Sequence, residues 1–252
     1  MQQGHSSLGG SQLAVVGPPR GPVFRVARGL DPFESPDWRY VGGNRFDDPR
    51  CGEEGVDTDG CLRVIYAASQ RAGAYVETIA RYRIDLELLA GLEDVEDDEP
   101  PDPRHQPGVV PTDYRMQRRL GKTRLDPALR FVDIHAPETV QTLRPVLAKA
   151  ARDLGLGDVD FSTVMGLHRE ITKHAALHIY EQRGADDRPL YAGIRYVSRL
   201  NRAWELWALF ADRLVHTAGV PETIYPDDQG FVEAARLLNV NIEIFDGKCM
   251  FV

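Results

Sequence analysis

Lysine and cysteine are the scarcest chemistry-bearing residues in this 252-residue sequence. Only Lys122, Lys149, Lys173 and Lys248 are lysines, so the basic residues are nearly all arginine, a bias associated with GC-rich bacterial genomes. Bases are also outnumbered: 30 Lys and Arg against 38 Asp and Glu leave a formal charge of -8. A nucleic-acid footprint needs concentrated positive surface, so direct nucleic-acid binding is not expected. The three cysteines, Cys51, Cys61 and Cys249, have no paired CxxC spacing, which argues against a zinc ribbon, and with no mark of export free thiols are expected. No apolar run reaches the roughly 18 residues that suggest a membrane helix. The polar, Gly/Ser-rich start lacks the charged and apolar regions of a signal peptide. The expectation is a cytoplasmic protein with no membrane partner.

What is present is 42% apolar content, enough for one substantial core. Residues 1–21 are rich in Gly, Ser and Pro and read as a flexible leader, with residues 22–252 forming a single domain. Val23–Val26 and Leu62–Ala67 read as strands, and Ser69 as the N-cap of a helix running to Ala80. Residues 91–127 join an acidic, proline-rich run to a basic one and predict a polar insertion. Phe131–Ile134 predicts a strand, Thr139–Leu154 a helix, and Thr163–Gln182 one long helix with apolar residues at 164, 167, 171, 175 and 179. Tyr191–Ser198 alternates like a strand, Trp204–Phe210 reads as a buried one, and a helix over 228–238 and a strand over 240–245 close the chain. The mixture is α+β.

Polar residues interrupt these apolar runs where periodicity would not place them. Arg25 sits inside Val-Phe-Arg-Val, Tyr66 inside the second strand, Glu77 in the following helix and Ser198 at the end of an alternating strand. Arg45 lies in Gly42-Gly43-Asn44-Arg45-Phe46. A buried arginine needs an anionic partner, either one of the chain's own acids or a ligand.

Taken together, Phe24-Arg25-Val26, the Gly42–Phe46 loop, Val64-Ile65-Tyr66-Ala67-Ala68 through Glu77, and Gly193–Ser198 resemble, in order, the blocks of the RES-domain family, named for its Arg, Glu and Ser. The spacing of Tyr66 and Glu77 is similar to that of RES toxins. Asn44 and Asp47-Asp48-Pro49 stand where the family usually has an arginine-tryptophan-asparagine loop. The resemblance implies an ADP-ribosyltransferase-like α+β fold, with a central NAD-binding cleft between small sheets and flanking helices. It also implies NAD as substrate with no metal, and cleavage of the nicotinamide–ribose bond as an NAD glycohydrolase, the toxin of a toxin–antitoxin pair or a stand-alone enzyme. Implied partners are a helix-turn-helix antitoxin and further copies of the chain. Within it, Glu77 and Arg25 are the catalytic candidates, and Arg25, Arg45, Tyr66 and Ser198 the NAD-binding ones. ADP-ribose transfer to a protein or small-molecule acceptor uses the same cleft, and a non-catalytic NAD-binding regulatory module is the reading from another class.

A carboxylate suits an oxocarbenium-like transition state, and planar guanidinium groups suit a pyrophosphate. Competing motifs are weaker. His168, Glu170, His174 and His178 lie in one predicted helix without HExxH spacing, and Gly42-Gly43 lacks the context of a dinucleotide or P-loop fingerprint.

Overall fold

Near-continuous burial along the segments 64–68 and 205–210, on both faces of the strands, sets the plan of the molecule. The structure, a computed structural model, describes residues 13–51, 61–84, 107–166, 168–214, 219–245 and 248–250. Its strands are β1 (Val15–Val16), β2 (Val23–Arg28), β3 (Val64–Ala68), β4 (Val109–Val110), β5 (Arg118–Thr123), β6 (Phe131–Asp133), β7 (Gly193–Val197), β8 (Glu205–Phe210), β9 (Glu222–Thr223), β10 (Asn241–Phe245) and β11 (Lys248–Met250). The helices are α1 (Arg71–Ile79), α2 (Thr112–Met116), α3 (Pro137–Asp153), α4 (Phe161–Met165), α5 (Arg169–Tyr180) and α6 (Gln229–Leu238). The architecture is α+β. The larger sheet has the order β1-β6-β7-β8-β3-β2-β5-β9, the smaller β11-β10-β4, and both are mixed.

Because side chains alternate across a strand, β3 and β8 feed two cores. Val64, Ala68, Leu206, Ala208 and Phe210 face the larger one, into which α1, α3, α5 and α6 also pack. Ile65, Ala67, Trp207 and Leu209 face a smaller one with Phe33, Phe131 and Leu125. Each aliphatic side chain buried in this way contributes about 1.5–3 kcal/mol. Trp204, Trp207 and Phe210, expected in the core, are buried there.

Several expectations are corrected. Val15 and Val16 pair with Val132 and Phe131, so the segment expected as leader contributes an edge strand, hidden from periodicity by its two-residue length. Residues 1–12 lie outside the described residues, as do 85–106 of the expected insertion. Arg118–Thr123, expected within that polar insertion, is instead a strand paired with β2 at all six positions. Its arginines masked the alternation. The expected helix over 163–182 is two, because Gly166 leaves the helix in an extended conformation. Ser69 does not cap α1: its hydroxyl donates to Glu205 at 2.6 Å and accepts from Trp207 Nε1 at 2.8 Å, while Gln70 holds the cap position. Tertiary partners outcompeted the local one.

The expectation of free thiols is also corrected, since Cys51 and Cys61 form a disulfide with their Cα atoms 6.6 Å apart, while Cys249 is free. Among the described residues, no helix is long and apolar enough to cross a membrane.

Candidate active site

β2 and β3 run antiparallel but pair at one position only, Phe24 with Ala68. β2 turns instead to β5, and the sheet splits. A cavity of about 750 Å³ opens at the split, lined by Arg25 and Val26 from one strand and Tyr66 and Ala67 from the other. Its size falls within the range of small-molecule and cofactor sites. All five residues singled out from sequence, Arg25, Arg45, Tyr66, Glu77 and Ser198, line this one cavity.

Glu77 reaches it from α1, one turn after Gly73, so both lie on the same helix face. A Cβ at Gly73 would stand 3.1 Å from that of Ala68, so glycine lets α1 lie close against β3. Glu77 is open to solvent through the cavity, yet protein surrounds its carboxylate. Burial pushes its pKa above the usual carboxylate range, opposed by the Ser198 hydroxyl and by the positive fields of Arg199 and Arg45. Ser198 follows β7 and is 1% exposed. Its Oγ accepts from the Leu200 N–H at 3.1 Å and donates its single proton to Glu77 Oε1 at 3.0 Å.

Arg25, in β2, also lines the cavity. Among the described residues it forms no ion pair, and its Nη1 is buried without a hydrogen-bond partner. Burial lowers its pKa to about 10, opposed by the fields of Tyr66 and Asp31, so the group stays cationic at neutral pH. Arg45 donates from Nη2 to the Val164 carbonyl and lies 5.6 Å from the Tyr196 ring centre, while its Nε is buried without a partner. Two guanidinium groups thus keep unused donors at one cavity, an arrangement that a bound anion would complete.

Tyr66 meets the cavity with its ring while its hydroxyl is bound into the neighbouring loop, accepting from the Phe46 N–H at 2.9 Å and donating to Asp47 Oδ1 at 2.9 Å. Burial and then the Asp47 charge push its pKa well above the ordinary tyrosine value. Asp47, noted in the sequence only as a departure from the family's loop, is 2% exposed and organises that loop: its Oδ2 accepts from the Gly42 and Asn44 amides at 3.0 and 2.8 Å and from Asn44 Nδ2 at 3.0 Å. Gly42 takes a positive φ of 96°, which this turn requires. The signal was available in the Gly-Gly-Asn-x-x-Asp composition, which reads as a turn closed by an Asp side chain.

Sequence reasoning also passed over Tyr196, Arg169 and Arg199. Tyr196 is buried, lines the cavity and lies on the Ser198 side of β7, as the two-residue period allows; burial pushes its pKa upward. Arg169 opens α5 and donates to the Gly43 carbonyl, a position created by the helix break at Gly166. Nearby, His135 has both ring nitrogens buried without partners, and burial, followed by the Arg45 charge, lowers its pKa to about 4.

Of the histidine-bearing helix, Glu170 pairs with Lys173 at 2.7 Å, and His178 is held beside Gln182. Asp48, Cys51 and Cys61 cluster with potential ligand atoms within 4.8 Å. The two sulfurs are bonded to each other, and Asp48 accepts from Arg50 and from the Leu62 N–H, so these donors are already engaged. No family model, curated protein or solved structure matches the chain.

Proposed function

We propose that this chain is an NAD-consuming enzyme of RES type, built on an ADP-ribosyltransferase-like fold, that hydrolyses the nicotinamide–ribose bond. The observation that carries the reading is the Glu77–Ser198 hydrogen bond of 3.0 Å, set in one cavity with Arg25, Arg45 and Tyr66. The unused donors of Arg25 and Arg45 suit the pyrophosphate, which guanidinium groups grip through paired hydrogen bonds. The Tyr66 and Tyr196 rings offer apolar walls to the nicotinamide.

As the C1′–N bond breaks, its electron pair leaves with nicotinamide and positive charge develops on the ribose. The Glu77 carboxylate faces that charge and takes a hydrogen bond from a ribose hydroxyl, while Ser198 holds the carboxylate in orientation. Water then attacks C1′ and loses a proton, giving ADP-ribose. Nicotinamide departs as a neutral molecule, so the step needs no metal.

Glu77→Gln removes the charge but keeps the size and the Ser198 contact. Nicotinamide release from NAD is expected to fall about 10²–10³-fold. Thermal stability is expected to be unchanged or higher, since a carboxyl whose pKa is raised on folding destabilises the folded state when ionised. Undiminished release by a folded Glu77→Gln protein would overturn the reading. ADP-ribose transfer uses the same bond cleavage, and labelled NAD incubated with a lysate separates it from hydrolysis by leaving label on macromolecules.

A further inference from the structure

Among the described residues, four guanidinium groups line the cavity, those of Arg25, Arg45, Arg169 and Arg199, with one carboxylate, that of Glu77. None of the four arginines forms an ion pair among the described residues. Asp47 stands behind the loop with its oxygens taken by Gly42, Asn44 and Tyr66.

We infer that the cavity is selective for a nicotinamide dinucleotide bearing an additional phosphate monoester on its adenosine ribose, and that Arg169 and Arg199 read that phosphate. The inference rests on the proposal that the cavity takes a nicotinamide dinucleotide. Its ground is charge balance. The diphosphate bridge of NAD carries two negative charges and its pyridinium ring one positive, whereas the described lining residues carry an excess of three positive charges. NAD therefore leaves most of the excess unneutralised. A phosphate monoester adds a charge of about −1.5 to −2 at neutral pH, which closes the difference.

Placement divides the work among the arginines. Arg25 and Arg45 carry the buried, unpartnered nitrogens and hold the inner anion. Arg199 is exposed and directly follows Ser198, and Arg169 is pinned to the Gly43 carbonyl of the loop that presents Asn44 and Arg45. Both are solvent-accessible groups on the cavity wall, as a terminal phosphate at its mouth requires. Arginine also matches a phosphate monoester through paired donors, which a lysine cannot do.

The test compares kcat/KM for nicotinamide release from NADP and from NAD by the full chain, at one pH and one ionic strength, with Arg169→Gln and Arg199→Gln beside the wild type. The expected result is a preference for NADP of about tenfold or more, falling about tenfold in at least one variant, mainly through KM. Using the ratio cancels any effect of Arg199 on Glu77, which acts on both substrates alike. Equal or faster release from NAD, or a ratio that neither variant changes, overturns the inference while leaving the NAD-consuming reading intact. If neither dinucleotide is cleaved, that reading fails, and calorimetric titration decides the inference: tighter binding of NADP than of NAD, reduced in the variants, sustains it, and equal or absent binding overturns it.

Discussion

At the scale of single residues, the site depends on two carboxylates held in opposite ways. Asp47 is saturated by donors and fixes the loop carrying Arg45, whereas Glu77 has one donor from Ser198 and faces the cavity. Tyr66→Phe would leave the buried Phe46 N–H without its acceptor and Asp47 without one donor, at an expected cost of about 1–3 kcal/mol in urea denaturation. The pH profile follows from Glu77. In the proposed mechanism Glu77 acts in its ionised form, and its pKa is raised, so the acid limb of kcat/KM is expected above the pH at which an ordinary glutamate ionises. Ser198 opposes that rise through its hydrogen bond; Ser198→Ala is expected to move the acid limb to higher pH, and an unmoved limb would show that Glu77 is not the group titrating.

At the scale of elements, α1 is held in place by α6. Arg71 Nε donates to the Asp228 carboxylate, its Nη1 donates to Glu222 at 2.6 Å, and the Tyr75 hydroxyl donates to Asp228 at 3.1 Å. The same Asp228 caps α6 through the Gly230 and Phe231 amides. Glu77 rides on the same helix, which this latch ties to the start of α6. Asp228→Ala is expected to lower stability by about 2 kcal/mol or more at neutral pH, measured by denaturation. Burial, the largest single influence, would raise the Asp228 pKa, but the bonds and charge of Arg71 with the Phe231 amide and the Tyr75 hydroxyl together outweigh it, and the net shift is downward. The stabilisation is therefore present above the ordinary aspartate range and lost as pH falls through the lower folded value, so the gap between wild type and variant should close in acid. His135 behaves differently. Its pKa falls on folding from 6.5 to about 4, so stability drops as pH falls between those values, and His135→Phe should flatten that part of the curve.

At the scale of the whole molecule, the decisive feature is the sheet's division between β2 and β3. On one side β3, β8 and β7 pair continuously; on the other β2 pairs at length with β5. Arg195 ties the first half together, donating to Asp133 at 2.8 Å and to Glu205 at 2.9 Å and so linking β6, β7 and β8. The Cys51–Cys61 disulfide closes the chain between the loop of Arg45 and the strand of Tyr66. Cys61→Ser, or reduction of the wild type, is expected to cost about 2–3 kcal/mol, read as the shift in a denaturation curve with and without reductant. No difference would mean that this loop adds little to the folded state.

The sequence by itself determined the elements with a strong period, the helix of Glu77, the strands of Arg25 and Tyr66 and the strand that leads to Ser198, and the candidate site residues as polar interruptions of apolar runs. Those signals are local: burial on one face imposes period two or 3.6 on the chain, and a polar residue out of phase stands out. Only the tertiary structure decided that β2 leaves β3 after one pair and that an arginine-rich stretch serves as β5. It also decided that Ser69 bonds across the sheet instead of capping a helix, and that Asp47 gathers its donors under Tyr66. These outcomes are settled by which distant groups come into reach when the core closes. A strand's partner and a carboxylate's donors lie far away along the chain, where no periodicity records them.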